Sequence, residues 1–109
     1  MLGHDNSDVD VQTANKLASD DGYLIVDVRT TREWTAGHPP GSIHMVLETI
    51  PERIEELRGK KVLAFCRSGN RSGAAATFLN QQNIETHNVS GGILAWSRAG
   101  LPLKKGSQA

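Results

Sequence analysis

The run Val62-Leu63-Ala64-Phe65-Cys66-Arg67-Ser68-Gly69-Asn70-Arg71-Ser72-Gly73-Ala74-Ala75-Ala76-Thr77-Phe78-Leu79 decides how the chain is read. Four apolar residues lead into the single cysteine, as a buried strand would. A small-residue helical pattern leads out. The expected local structure is strand, tight loop and helix, with a thiol at the strand's end. If the loop wraps the sulfur, its backbone N–H groups converge into an anion nest. The helix adds the positive end of its dipole, and Arg67 and Arg71 add full positive charges. Each effect favours the thiolate, the nucleophilic form of cysteine. Gly69 can adopt φ > 0, which a loop curling on itself requires. Ser68 and Ser72 offer hydroxyl donors to a bound anion, and Asn70 completes the loop. Residues 66–72 therefore read as a nucleophile in a cradle for anionic groups. The competing reading is a structural cysteine buried before an ordinary turn, since free cysteine is among the most buried residue types. The charged, serine-bearing loop weighs against it.

Outward from this run, strand and helix signals alternate. Tyr23 to Val28 is a nearly continuous apolar run, as expected of a central parallel strand covered on both faces. Val9 and Val11 alternate with Asp8, Asp10 and Gln12, which predicts a short strand. Thr13 is the expected N-cap of a helix carrying Ala14, Leu17 and Ala18 on one face. Thr30 and Glu33 form a capping box for a short helix ending near Gly37. Pro39-Pro40-Gly41 is a rigid connection, and Ile43 starts a short edge strand. Thr49 and Glu52 form a second expected capping box, with Pro51 in the first turn. Leu47, Ile50, Ile54 and Leu57 share one helical face. The helix after the cysteine loop is expected to bury Ala74, Ala75, Phe78 and Leu79. Thr86 to Val89 reads as another strand, and Ile93 to Ala99 as a last helix stopped by Gly100, with Pro102 beyond. The alternation predicts an α/β domain with a mostly parallel sheet over residues 9–103. Residues 1–8 and 104–109 are expected to be tails.

In such sheets, sites form beyond the carboxyl ends of the strands. Ser90-Gly91-Gly92 and residues 28–38 are the expected rims beside Cys66. Simple loop flexibility explains Gly91-Gly92 equally well. Asp27 and Arg29 read as an ion pair or as hydrogen bonds bracing the loop from behind. Trp34 and Trp96 read as packing residues and His38 as a turn hydrogen-bonder, while His44 and His87 have no assigned role.

Composition excludes several classes of function. The 109 residues carry a formal net charge of zero, giving no broad electrostatic case for nucleic acid or a membrane surface. One cysteine excludes an intramolecular disulfide and a cysteine-only metal site. His4, His38, His44 and His87 lack the close spacing of a metal motif. No run is apolar and long enough to span a membrane, and the polar start is unlike a signal peptide. A soluble cytoplasmic protein is the expectation, although a cleaved precursor or an excised domain would read the same way.

Several motifs together resemble one family. Leu24-Ile25-Val26-Asp27-Val28-Arg29 is similar to a "hydrophobic strand, then DVR" signature. Arg32-Glu33-Trp34 followed by Gly37-His38-Pro39-Pro40-Gly41-Ser42-Ile43 resembles "REW…GHIPGA". Cys66 to Arg71 resembles an active-site loop, and Gly91-Gly92-Ile93-Leu94-Ala95-Trp96 with Ala99-Gly100-Leu101-Pro102 resembles "GG…AW…AGLP". In this order they resemble single-domain rhodaneses, which are sulfurtransferases. Pro39 departs from the family's aliphatic residue and bears on local loop shape alone.

The resemblance implies a three-layer α/β/α domain with a central sheet of about five strands. It implies a Cys66 nucleophile, with Arg67, Ser68, Gly69, Asn70, Arg71 and Ser72 binding substrate and Asp27 and Arg29 in support. Sulfur would pass from thiosulfate or a persulfide donor through a Cys66 persulfide to cyanide or a thiol, with no metal and no organic cofactor. A thioredoxin-like or sulfur-carrier protein is among the acceptors it allows. The alternatives are a phosphatase or arsenate reductase of the same fold, and a non-catalytic regulatory module. Four residues separate Cys66 from Arg71, one fewer than in the related dual-specificity phosphatases.

Overall fold

A four-stranded, wholly parallel sheet forms the centre of residues 7–109, which are the residues that the computed structural model describes. In chain order the elements are α1 (Val11–Asp20), β1 (Leu24–Asp27), α2 (Thr31–Ala36), β2 (Ile43–His44), α3 (Ile50–Arg53), β3 (Val62–Phe65), α4 (Asn70–Gln81), β4 (Thr86–Asn88) and α5 (Gly92–Arg98). Short 3₁₀ turns at Leu47–Thr49 and Ile54–Leu57 flank α3. The strands lie in the order β2-β1-β3-β4. The two apolar runs become the inner pair, with Leu24 beside Val62 and Asp27 beside Phe65.

Strand periodicity sends alternate side chains to opposite layers. Val26, Val62, Ala64 and Cys66 pack with Ile50, Leu57, Ala75, Ala76 and Leu79 on one face. Ile25, Leu63 and Phe65 pack with Val11, Ala14 and Trp96 on the other. Trp96 meets Phe65 edge-on, with ring centroids 5.7 Å apart. The result is the expected three-layer α/β/α arrangement, centred on β1 and β3.

The expected count of about five strands is corrected to four among the described residues. Val9 makes a single parallel bridge to Val89. The next residue, Asp10, accepts the Thr13 N–H at 2.8 Å and caps α1. The chain thus turns into helix immediately after the pair, and the N-cap moves from Thr13 to Asp10.

The Thr30–Glu33 capping box forms as expected, each side chain receiving the other's backbone N–H. The Thr49 box does not. Thr49 lies in a 3₁₀ turn and its hydroxyl donates to the Val46 carbonyl at 2.7 Å. Helix α4 buries Ser72, Ala75, Ala76 and Leu79, while Ala74 is exposed and Phe78 half-buried. The expected face is therefore rotated, and it is the face that turns Ser72 inward.

The expected N-terminal tail falls largely on residues 1–6, outside the described residues. Residues 104–108, expected as tail, run along the α2 turn. Lys104 pairs with His38 in both directions, Gly106 donates to the Thr35 carbonyl, and the Gln108 carbonyl lies 2.7 Å from His38 Nε2. His38 is fully buried and stacks on Trp34 at 3.5 Å. His44 stacks on Trp34 at 4.9 Å, and its Nε2 meets the Arg29 carbonyl.

Candidate active site

Cys66 stands one residue past β3, where the chain leaves the sheet for α4. No side chain caps α4. Its N-terminus is turned instead on the cysteine sulfur. Gly69, at the N-cap with φ +113°, donates its N–H to Cys66 Sγ at 3.1 Å. The Ser72 hydroxyl lies at the same distance from the sulfur. The positive end of the helix therefore faces an acceptor that is better as an anion. Burial pushes the Cys66 thiol up, since the residue is only 1% exposed. The Ser72 hydroxyl and the N–H groups of Ser72, Gly69 and Ser68 outweigh that, and the net direction is below the ordinary thiol value.

Two backbone bonds from α5 hold the loop from outside. Ile93 N–H donates to the Cys66 carbonyl at 2.9 Å, and Leu94 N–H to the Arg67 carbonyl at 3.2 Å. With these carbonyls engaged by α5, the loop's N–H groups are left to converge on the sulfur. Gly92 lies at this contact, so its role is close backbone approach rather than loop flexibility. Asn88, at the end of β4, holds the loop from a third side: its Nδ2 donates to the Gly69 carbonyl at 3.1 Å.

The two arginines differ. Arg71 is bound at both ends of its guanidinium by Glu33 of α2, at 2.8 Å each. The same bond holds the Glu33 carboxyl at about 2, against burial and with help from Thr30. Arg67 is exposed, and its guanidinium has no partner among the described residues. Ser68 and Asn70 are exposed beside it. Asp27 and Arg29 form the expected ion pair, at 2.6 Å and fully buried. Arg29 also donates to the Gly37 carbonyl at 2.7 Å and passes 5.8 Å from the centre of the Phe65 ring. The pair thus ties the ends of β1 and α2 to the residue preceding Cys66.

Sequence reasoning missed the second role of Glu33 and the whole of Asn88. Asn88 stands in a strand of polar residues, Thr86-His87-Asn88, so its residue type did not set it apart, and its burial among partners appears only in the fold. Among the described residues no group of three or more His, Cys, Asp or Glu side chains could hold a metal ion, and no helix is long and apolar enough to cross a membrane.

Residues 10–99 match the profile of the rhodanese-like domain. The chain is 38% identical over 92 residues to a sulfurtransferase of Allochromatium vinosum, covering 83% of this chain and 86% of that protein. It is 37% identical to a putative sulfurtransferase of Bacillus subtilis, over 74% of this chain and 80% of the other. A rhodanese-related protein of Thermoplasma volcanium superposes with a TM-score of 0.80 at 31% identity, covering 90% of this chain and 97% of its own.

Proposed function

We propose that this chain, which belongs to the rhodanese-like domain family, is a sulfurtransferase that carries sulfane sulfur as a persulfide on Cys66. The observation that carries the reading is the reception of the Cys66 sulfur, at 3.1 Å each, by the Gly69 N–H and the Ser72 hydroxyl. Such donors favour the thiolate over the thiol, so attack needs no separate general base. With thiosulfate, the thiolate attacks the outer sulfur. A new S–S bond forms, the old one breaks, and sulfite leaves with the bonding pair. Cyanide or an acceptor thiolate then attacks the outer sulfur of the persulfide, and Cys66 departs as thiolate. The loop N–H groups face the negative charge throughout. Thiols on a thioredoxin-like or sulfur-carrier protein are acceptors of the right chemistry.

Arg71 argues against the phosphatase reading. An arginine that closes a phosphate loop has to offer its guanidinium to the phosphate, and here Glu33 occupies both ends. A protein arsenate reductase needs a resolving thiol, and with one cysteine in the chain that thiol would have to come from glutathione or glutaredoxin. A purely regulatory module has no use for a sulfur so placed.

The test is thiosulfate:cyanide sulfur transfer measured beside aryl phosphate hydrolysis, in the wild type and in Cys66→Ser. The reading expects transfer in the wild type alone and negligible phosphate release in both. Phosphate release without sulfur transfer would reverse the assignment.

A further inference from the structure

Cys66, Ser72 and Asn88 form a chain of side chains that is one proton short when Cys66 is a thiolate. Ser72 is fully buried, and its Oγ stands 3.1 Å from Cys66 Sγ and 2.5 Å from Asn88 Oδ1. A hydroxyl has one proton to donate. The amide of Asn88 is oriented by its far side: Nδ2 donates to the Gly69 carbonyl at 3.1 Å and to Asp8 Oδ2 at 3.2 Å. Both of those partners are pure acceptors, so Nδ2 must face them and Oδ1 must face Ser72.

Two protonation states then draw different bonds. In the thiol, Cys66 S–H donates to Ser72 Oγ and the Ser72 hydroxyl donates to Asn88 Oδ1, so every group is satisfied. In the thiolate, whose proton has gone to water, Ser72 must turn to the sulfur and leave Oδ1 without its donor. We infer that Asn88 is a positioning residue for sulfur transfer: its amide oxygen competes with the Cys66 sulfur for the single proton of Ser72.

The second half of the cycle rests on the persulfide reading above. Once the outer sulfur is attached, the charge resides there and Sγ becomes a weak acceptor. The Ser72 proton then returns to Asn88. Bonds to Sγ are thus strong while Cys66 is a thiolate and weak while it carries cargo. The competition also restrains the thiolate's stabilisation, which matters because nucleophilicity falls as thiol pKa falls.

The other charges around the sulfur are Arg67 in the loop, Arg71 on α4 with Glu33 on α2, the Asp27–Arg29 pair at the end of β1, and Asp8 beyond Asn88. Substitution at Asn88 or Ser72 removes none of these charges, and Asn88→Leu takes one donor from Asp8 whether or not Ser72 is present.

The experiment is a thiolate titration by ultraviolet absorbance of the wild type, Asn88→Leu, Ser72→Ala and the double variant, with thermal unfolding as the folding control. Leucine keeps the shape of asparagine and removes its hydrogen bonds. Asn88→Ala gives the same reading if the leucine variant does not fold. Asn88→Leu is expected to move the Cys66 titration to lower pH by about half a unit, roughly threefold in the thiolate:thiol ratio. Ser72→Ala should move it up. Loss of the Asn88 Nδ2 bonds to Gly69 and Asp8 acts in both backgrounds, so the reading is the difference between the two shifts: Asn88→Leu should lower the titration only when Ser72 is present. The inference is overturned if Asn88→Leu leaves the wild-type titration in place or raises it, or shifts it by the same amount with and without Ser72. The titration reads no sulfur transfer, so failure of the sulfurtransferase reading would appear separately, as absent sulfur loading.

Discussion

Gly92 sits so close to Cys66 that a Cβ built on it would stand 2.1 Å from the Cys66 carbonyl oxygen. The Arg67 carbonyl oxygen would be 2.7 Å away. Both obstacles are backbone, so neither can rotate aside as a side chain would. The φ of +48° at Gly92 also disfavours any residue with a Cβ. It is this contact that lets α5 donate to the loop carbonyls from behind.

Gly92→Ala therefore displaces the cysteine loop. The expected destabilisation is roughly 1–3 kcal/mol, the range for forcing added volume into a packed site. The Cys66 titration should also rise toward the ordinary thiol value as the N–H donors move off the sulfur. Chemical denaturation and thiolate titration read the two effects. A variant with unchanged stability and titration would show that the contact does not shape the loop.

The Glu33–Arg71 pair gives a pH-dependent prediction. The folded state lowers the Glu33 carboxyl from 4.5 to about 2, chiefly through the bond from Arg71. A lowered carboxyl value stabilises the fold at pH above the unfolded value, and that stability disappears as pH falls through the folded one. Glu33→Gln should thus be less stable than the wild type at pH 7, by about 1 kcal/mol or less because the pair is partly exposed. The gap should narrow between pH 4.5 and about 2. Denaturation curves across that range read it, and a gap independent of pH would place the effect elsewhere.

Arg67 is the charge at the loop left free to meet a donor. Arg67→Ala should raise the KM for thiosulfate by roughly tenfold with little change in kcat, as expected for loss of one charge-assisted hydrogen bond made equally in ground and transition states. The loss should shrink for an uncharged sulfur donor. Unchanged thiosulfate kinetics would assign anion recognition to the backbone N–H groups.

Legibility in the sequence follows the range of each interaction. The strand-loop-helix at 62–79, the Thr30–Glu33 cap and the Asp27–Arg29 pair each join residues a few positions apart, and their residue types announce them. The α/β class followed from the alternation of such local signals. The misplaced N-cap at Thr13 is a local ambiguity: Asp10 and Thr13 are both good caps, and the bridge from Val9 to Val89 selects the earlier one. The same bridge is what remains of the expected fifth strand. Contacts between distant residues left no mark. Arg71 meets Glu33 across 38 positions, and Gln108 meets His38 across 70. Asn88 belongs with these. Its partners come from two other parts of the chain, Asp8 before α1 and Gly69 with Ser72 at the start of α4.

Covalent sulfur on Cys66 is the centre of the account, and intact-mass measurement after incubation with thiosulfate tests it most directly. The wild type should gain the mass of one sulfur atom, lose it on addition of cyanide, and gain nothing when Cys66 is replaced by serine. A wild-type mass that does not change, or a gain that persists in Cys66→Ser, would contradict it.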